Sequence, residues 1–144
     1  MNVEEILKRK GGNVFTIRPE HSVSELATLV SNKRVGAAVV CDAKGGILGI
    51  VSERDIVKAV ADYGKGALDM PVRNIMTSPA VTCSPSETVK KVLEVMTERR
   101  VRHLPVVDKD HLVGIVSIGD AVSHRLQERQ VEVDVLRDIA VARK

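Results

Sequence analysis

Aromatic side chains are nearly absent from this chain of 144 residues, which has no Trp, one Phe (Phe15) and one Tyr (Tyr63). Proteins that read nucleic acid by stacking bases on aromatic platforms need more than that, so the composition argues against such a role. It also means that the core is built from Val, Ile, Leu, Ala and Met. Cysteine is scarce as well. Cys41 and Cys83 stand far apart, with no Cys-x-x-Cys and no paired histidines, which argues against a zinc site or a disulfide framework. Both read as small buried hydrophobes. No apolar run approaches the roughly 18 residues of a membrane span and no signal peptide opens the chain, so the expected location is the cytoplasm. A dominant charge is lacking too: 22 Lys and Arg face 19 Asp and Glu, for a net +3 spread along the chain. That balance does not call for a polynucleotide, and it remains compatible with a small anion. A Walker phosphate loop, a Ser-His-Asp arrangement and a His/Glu metal motif are all missing, so the chain reads as non-catalytic and without a bound metal.

What the chain does contain is a duplication. Gly49-Ile50-Val51-Ser52-Glu53-Arg54-Asp55 recurs as Gly114-Ile115-Val116-Ser117-Ile118-Gly119-Asp120, at an offset of 65. Upstream the offset is 66: Thr16 matches Thr82 and Pro19 matches Pro85. Val23, Leu26, Ala27, Leu29 and Val30 match Val89, Val92, Leu93, Val95 and Met96 at the same offset. Spacings of three and four in that set mark one buried helix face in each copy. The single-residue deletion falls between Lys44-Gly45-Gly46 and Lys109-Asp110-His111, where a hairpin loop tolerates it. A chain of this length is short for two ordinary domains and suits two half-domains, residues 1–70 and 71–144.

Each copy reads strand, helix, strand, strand, helix. The first predicts strands at 14–17, 37–41 and 47–51 with helices at 22–32 and 53–61, and Ser22-Val23-Ser24-Glu25 has the form of a capping box. The second predicts strands at 80–82, 104–107 and 112–116, a helix at 89–99, and a final helix from Ile118 that overruns its counterpart toward Ala140. Val122, Leu126, Val133, Leu136 and Ala140 keep to one face of that helix if Arg129 interrupts the stripe, and such a stripe needs a partner: the N-terminal helix or a second subunit. A short amphipathic helix at 3–10, stopped by Gly11-Gly12, precedes the first copy.

The two blocks Arg34-Val35-Gly36-Ala37-Ala38-Val39-Val40 and Arg100-Val101-Arg102-His103-Leu104-Pro105-Val106-Val107-Asp108, each followed by its Gly-Ile-Val-Ser-x-x-Asp, resemble a tandem pair of CBS (cystathionine β-synthase type) domains over roughly residues 10 to 130. The resemblance implies an α/β (α+β) fold. Each repeat would be a small three-stranded sheet with two helices, and the two would pack about a pseudo-twofold axis. It also implies two clefts between the repeats, of the kind that bind AMP, ATP, NAD(H) or S-adenosylmethionine in many members, and a homodimeric disc.

By that resemblance, and because a carboxylate accepts hydrogen bonds from both ribose hydroxyls, Asp55 and Asp120 are the expected ribose ligands. Hydrogen bonds to a charged group contribute about 1.5–3 kcal/mol each. Ser52 and Ser117, at strand-to-helix junctions, would turn hydroxyl and free N–H groups toward a phosphate. The same Ser-x-x-Asp is also a helix N-cap with an acidic first turn, which stabilises a helix by about 0.5–2 kcal/mol without any ligand. Arg54, a cation in a first helical turn, opposes the helix dipole unless an anion sits nearby; alternatively it pairs loosely at the surface. Gly119 replaces it in the second copy, which instead has Arg102 and His103 where the first has Gly36 and Ala37. The two sites are therefore expected to be unequal. Ile50, Ala37, Ala38 and Phe15 in one copy, and Ile115, Leu104 and Val81 in the other, are the expected surroundings of the base, or else plain core.

The expected function is a non-catalytic regulatory module of signal transduction. An adenosine-containing nucleotide would be its effector, shifting the population of conformations. The competing reading is a protein-interaction or oligomerisation module with empty clefts, motivated by the overlong last helix. A hidden nucleotide hydrolase ranks below both, since neither serine has an evident activating base.

Overall fold

The computed structural model describes residues 1–142; residues 143 and 144, the last two of the expected second repeat, lie outside the described residues. The chain forms two compact units, one of residues Asn13–Thr82 and the other of Met1–Gly12 together with the chain from Cys83 onward. In chain order the elements are α1 (Val3–Lys10), β1 (Thr16–Ile17), α2 (Val23–Lys33), β2 (Ala37–Cys41), β3 (Ile47–Ser52), α3 (Glu53–Tyr63), two 3₁₀ turns at Gly64–Asp69 and Val72–Asn74, α4 (Val89–Arg99), β4 (His103–Asp108), β5 (His111–Ser117) and α5 (Ile118–Ala142).

The Asn13–Thr82 unit holds a three-stranded sheet in the order β1-β2-β3, with β1 parallel and β3 antiparallel to β2. Helix α2 starts at the expected cap, where Ser22 Oγ accepts the Glu25 N–H at 3.1 Å. The capping box is half formed: the Glu25 carboxylate lies 2.7 Å from His21 Nδ1 instead of returning to Ser22. The helix ends at Arg34, whose φ of 55° is left-handed. Leu26 and Val30 on its buried face meet Ile17, Ala38, Val40 and Val51 from the sheet and Val72 from beyond α3. Truncating a side chain such as Leu26, which is fully buried, to Ala costs about 2–5 kcal/mol in comparable cores.

The other unit repeats this pattern with a smaller sheet. Helix α4 packs Val89, Val92 and Met96 inward and ends at Arg100, again with φ 55°. Strands β4 and β5 pair antiparallel through a two-residue turn at Lys109 and Asp110, with φ of 49° and 64°. Positive φ at both positions is the signature of a tight primed hairpin turn. It accommodates the one-residue deletion, since the first copy instead uses a longer loop in which Asp42 Oδ1 accepts the N–H groups of Lys44 and Gly46.

The expected strand at 80–82 does not form, so this sheet has two strands rather than three. Only Cys83 makes a parallel bridge, to Val106. The reason is Pro105. In the first copy the Val39 N–H donates to Phe15 O at 2.9 Å; Pro105 occupies the matching position and has no N–H to offer. What remains is the bond from Cys83 N–H to Pro105 O at 3.0 Å and from Val107 N–H to Cys83 O at 2.8 Å. Strand β1 is likewise shorter than the expected 14–17. The other predicted elements form with ends shifted by no more than two residues, and α5 runs on to Ala142.

The unit boundaries differ from a division after residue 70. Helix α1 packs with the second repeat's residues, and the segment up to Thr82 packs with the first's. A further sequence echo explains the exchange: Val3-x-x-Ile6-Leu7 and Val72-x-x-Ile75-Met76 are the same pattern at an offset of 69. Each copy docks identically. Val3 N–H donates to Glu87 O, Glu4 N–H to Pro85 O, and Val89 N–H to Met1 O; correspondingly Val72 N–H donates to His21 O, Arg73 N–H to Pro19 O, and Val23 N–H to Met70 O. Val3 and Val72 are both fully buried. Each repeat is thus completed by the segment that precedes the other in the chain.

Candidate functional site

The two Ser-x-x-Asp signatures fall where a strand hands over to a helix, at β3 to α3 and β5 to α5. The first serine, Ser52, has extended backbone and ends β3. Asp55 Oδ2 accepts the Ser52 N–H at 2.8 Å and the Ser52 hydroxyl at 3.1 Å. In the second copy Asp120 Oδ2 accepts the Ser117 N–H at 2.9 Å, and Ser117 Oγ accepts the Asp120 N–H at 3.0 Å. Each junction is therefore a self-satisfied cap, with its serine and aspartate partly buried. The side chains still have capacity beyond that role. All the hydrogen bonds found to either aspartate among the described residues go to Oδ2, and a carboxylate has about four acceptor sites on two oxygens.

Behind each junction a glycine lets another segment approach. A Cβ on Gly49 would lie 2.5 Å from Thr77 O, and one on Gly114 would lie 2.7 Å from Leu7 Cδ2. Over β3 the approaching segment is extended: Thr77 N–H donates to Ile50 O at 2.8 Å and Ile50 N–H returns to Thr77 O at 3.0 Å. Over β5 it is the helix α1, capped by the Gly11 N–H on Leu7 O at 2.8 Å. The matching carbonyl, Ile115 O, is met instead by Lys10 Nζ at 2.9 Å. The same ammonium reaches Asp120 Oδ2 at 2.6 Å, with both side chains less than a third exposed.

Burial alone would push the Asp120 carboxyl up. The Lys10 hydrogen bond, the Ser117 N–H, the charge of Lys10 and the Ser117 hydroxyl outweigh it and hold the group below the ordinary aspartate value. No cation pairs with Asp55 among the described residues.

Of the other expected site residues, Arg54 and Arg102 are exposed and His103 is half-buried beside Arg102. Ser52, Ile115, Phe15 and Val81 are also half-buried, and the Lys33 ammonium lies 5.8 Å from the Phe15 ring centre. Ala37 and Ile50 are nearly buried, while Ala38 and Leu104 are fully so. Ala38 belongs to the apolar cluster of its unit.

The cysteines are inert core. Burial, followed by the negative charge of Glu87, pushes the Cys83 thiol up to about 12, and burial with Asp42 raises Cys41. No group of three or more His, Cys, Asp or Glu able to hold a metal is found among the described residues, and none of the described helices is long and apolar enough to cross a membrane.

Sequence reasoning missed Lys10, whose role depends on α1 docking onto β5. The signal available was the Val-x-x-Ile echo. It also missed His124, which is buried on α5 with Nε2 3.3 Å from Glu128 Oε1, 3.8 Å from Glu5 Oε2 and 3.2 Å from Met1 Sδ.

Two half-sized α/β units, each completed by the other's leading segment and each carrying a Ser-x-x-Asp at a strand-to-helix junction, define a tandem-repeat module. The chain belongs to the CBS domain family: the family model described as "CBS domain" matches residues 3–62 and 72–126. The two matches start at or beside the equivalent residues Val3 and Val72.

Among solved structures, the chain is similar to the CBS-domain containing protein from Agrobacterium tumefaciens, with 44% identity and a TM-score of 0.83 over 86% of this chain and 92% of that one. It is also similar to a CBS domain protein from Pyrobaculum aerophilum complexed with AMP, at 33% identity and a TM-score of 0.73 over 83% and 89% of the two chains. A third is the CBS domain pair of protein MJ0100 in complex with 5-methylthioadenosine and S-adenosyl-L-methionine, at 27% identity and a TM-score of 0.77 over 90% and 98%.

Proposed function

We propose that the protein is a regulatory module that binds adenosine-containing nucleotides at its Ser-x-x-Asp junctions, with no chemical conversion of the ligand. The observation that carries the reading is the paired junction itself: two partly buried carboxylates, each held rigid by its serine through Oδ2, with acceptor capacity to spare for ribose hydroxyls. The backbone N–H groups that open α3 and α5 supply the partial positive charge that suits a phosphate, and Arg54 or Arg102 adds a full one. The AMP complex of the Pyrobaculum protein and the S-adenosylmethionine complex of the MJ0100 pair support the ligand class. A ligand preferring one arrangement of the module shifts its population by the difference in affinity, and that shift is the signal.

The test is a thermal-shift screen of purified, ligand-free protein with AMP, ATP, NAD, NADH and S-adenosylmethionine. At a hundred times its dissociation constant a ligand adds about 2.7 kcal/mol of stability, a clear upward shift. Flat curves across the panel would refute the reading.

A second reading, an assembly surface, is favoured by α5. Leu126, Val131, Val135, Leu136 and Val141 are each at least half exposed along its outer length, and a groove of about 400 Å³ lined by Lys90, Leu93, Glu94, Thr97, Glu98 and Arg125 runs along α4 and α5. A homodimer formed through this face would lose mass in light scattering when the chain is cut after Gln130.

A further inference from the structure

We infer that Lys10 is an internal latch on the second junction, occupying the carboxylate that a ribose would use and setting the affinity difference between the two sites. This rests on the nucleotide reading above and adds to it a residue outside the repeat signature.

Position, chemistry and contrast carry it. Lys10 is the last residue of α1, placed by the buried anchors Val3 and Ile6 and by Gly11, which ends the helix. Its ammonium has three protons, and two are used inside the same unit, on Ile115 O at 2.9 Å and Asp120 Oδ2 at 2.6 Å. Both donors on Asp55 Oδ2 come from Ser52, whereas one of the two on Asp120 Oδ2 is the Lys10 ammonium. A ribose at the second junction therefore competes with a charged partner brought by another element. The cavity beside them, lined by Ile6, Arg9, Lys10, Asp120, Ser123 and His124, amounts to about 80 Å³. Small-molecule sites run to about 300–1,000 Å³, so with the latch closed that space takes water and not a nucleoside.

The first unit has no such device. By the 69-residue echo the counterpart of Lys10 is Pro79, which has no side-chain or backbone donor, and the carbonyl matching Ile115 O is satisfied by the Thr77 backbone. Among the described residues, the hydrogen bonds to the Asp55 side chain come from Ser52. Nucleotide entering the second site therefore displaces Lys10 and releases the last turn of α1, while Val3 and Ile6 keep the helix docked. The first site fills with no such movement.

The experiment is calorimetric titration of AMP into the full chain as wild type, Asp55→Asn, and Asp55→Asn with Lys10→Met, with Lys10→Gln as a second replacement. In parallel, hydrogen exchange is followed across residues 3–12. With the first site disabled, removing Lys10 should tighten the remaining site at least fivefold, and in the wild type saturating AMP should speed exchange at the C-terminal turn of α1.

Unchanged or weaker binding on removing Lys10, or slower exchange in α1 with AMP, would overturn the latch. Weaker binding would make Lys10 a ligand contact instead. Absence of AMP binding in every protein, with none of the screened nucleotides shifting the wild type, would overturn the nucleotide reading beneath it, an outcome distinct from both.

Discussion

The two Ser-x-x-Asp junctions start from the same seven-residue pattern and end in different electrostatic situations. At Asp55 the carboxylate accepts from its own serine, with no cation paired to it among the described residues. At Asp120 it is also gripped by an ammonium from a helix more than a hundred residues away in the chain. The signatures themselves do not create this difference; the segments docked behind them do. A segment bridged to Ile50 through Thr77 and running on to Ser78-Pro79 approaches β3, and a helix ending at Lys10 approaches β5. A duplicated motif therefore specifies local geometry, and the non-duplicated residues that reach it decide what that geometry is free to bind.

The comparison breaks most visibly at the carboxylates. Asp55→Asn keeps the side chain's shape and an acceptor for the Ser52 N–H but removes the charge. It should weaken AMP binding at the first site by at least tenfold, from the loss of about 1.5–3 kcal/mol for a charge-assisted hydrogen bond, as read by titration calorimetry. Next in size is the pair of glycines. Ala at Gly49 meets a backbone oxygen, which cannot step aside, and should cost about 1–3 kcal/mol in denaturant unfolding; Ala at Gly114 meets the end of the Leu7 side chain, which can rotate, and should cost less. Equal losses at the two positions would contradict the description of the docked segments.

The ion pair predicts a smaller, pH-dependent effect. The Asp120 carboxyl lies below its ordinary value in the folded protein. Its contribution is therefore fully present above the unfolded value of about 3.9 and is lost as pH falls through the folded value. Lys10→Met should lower the unfolding midpoint at neutral pH, and the gap to wild type should narrow on acidification through that range. A gap that stays constant with pH would mean that Lys10 stabilises through packing alone. The smallest effect expected is at Cys41 and Cys83. Both thiols are raised and buried, so neither forms much thiolate near pH 8, and alkylation of the folded protein should be far slower than of the unfolded chain.

Most of the local structure was legible in the residues. Apolar spacing located α2 and α4 to within a residue or two, Ser22 marked its own cap, and the Gly-Ile-Val-Ser-x-x-Asp blocks marked both strand-to-helix junctions. What escaped depends on which residues meet across long separations. Pro105 reads harmlessly within its own strand, yet it removes the N–H that a strand at 80–82 would have needed. Helix α1 reads as a prefix to the first repeat, yet its backbone hydrogen bonds go to Pro85 and Glu87. Lys10 draws no reading of its own in the sequence, and it is the docking of α1 that brings it to Asp120.

The central claim, that the paired junctions bind an adenosine nucleotide through their carboxylates, is tested most directly by titrating AMP into the double variant Asp55→Asn, Asp120→Asn beside the wild type. The prediction is a clear binding isotherm for the wild type and none for a double variant that still unfolds cooperatively. Binding of undiminished affinity in that folded double variant would contradict it.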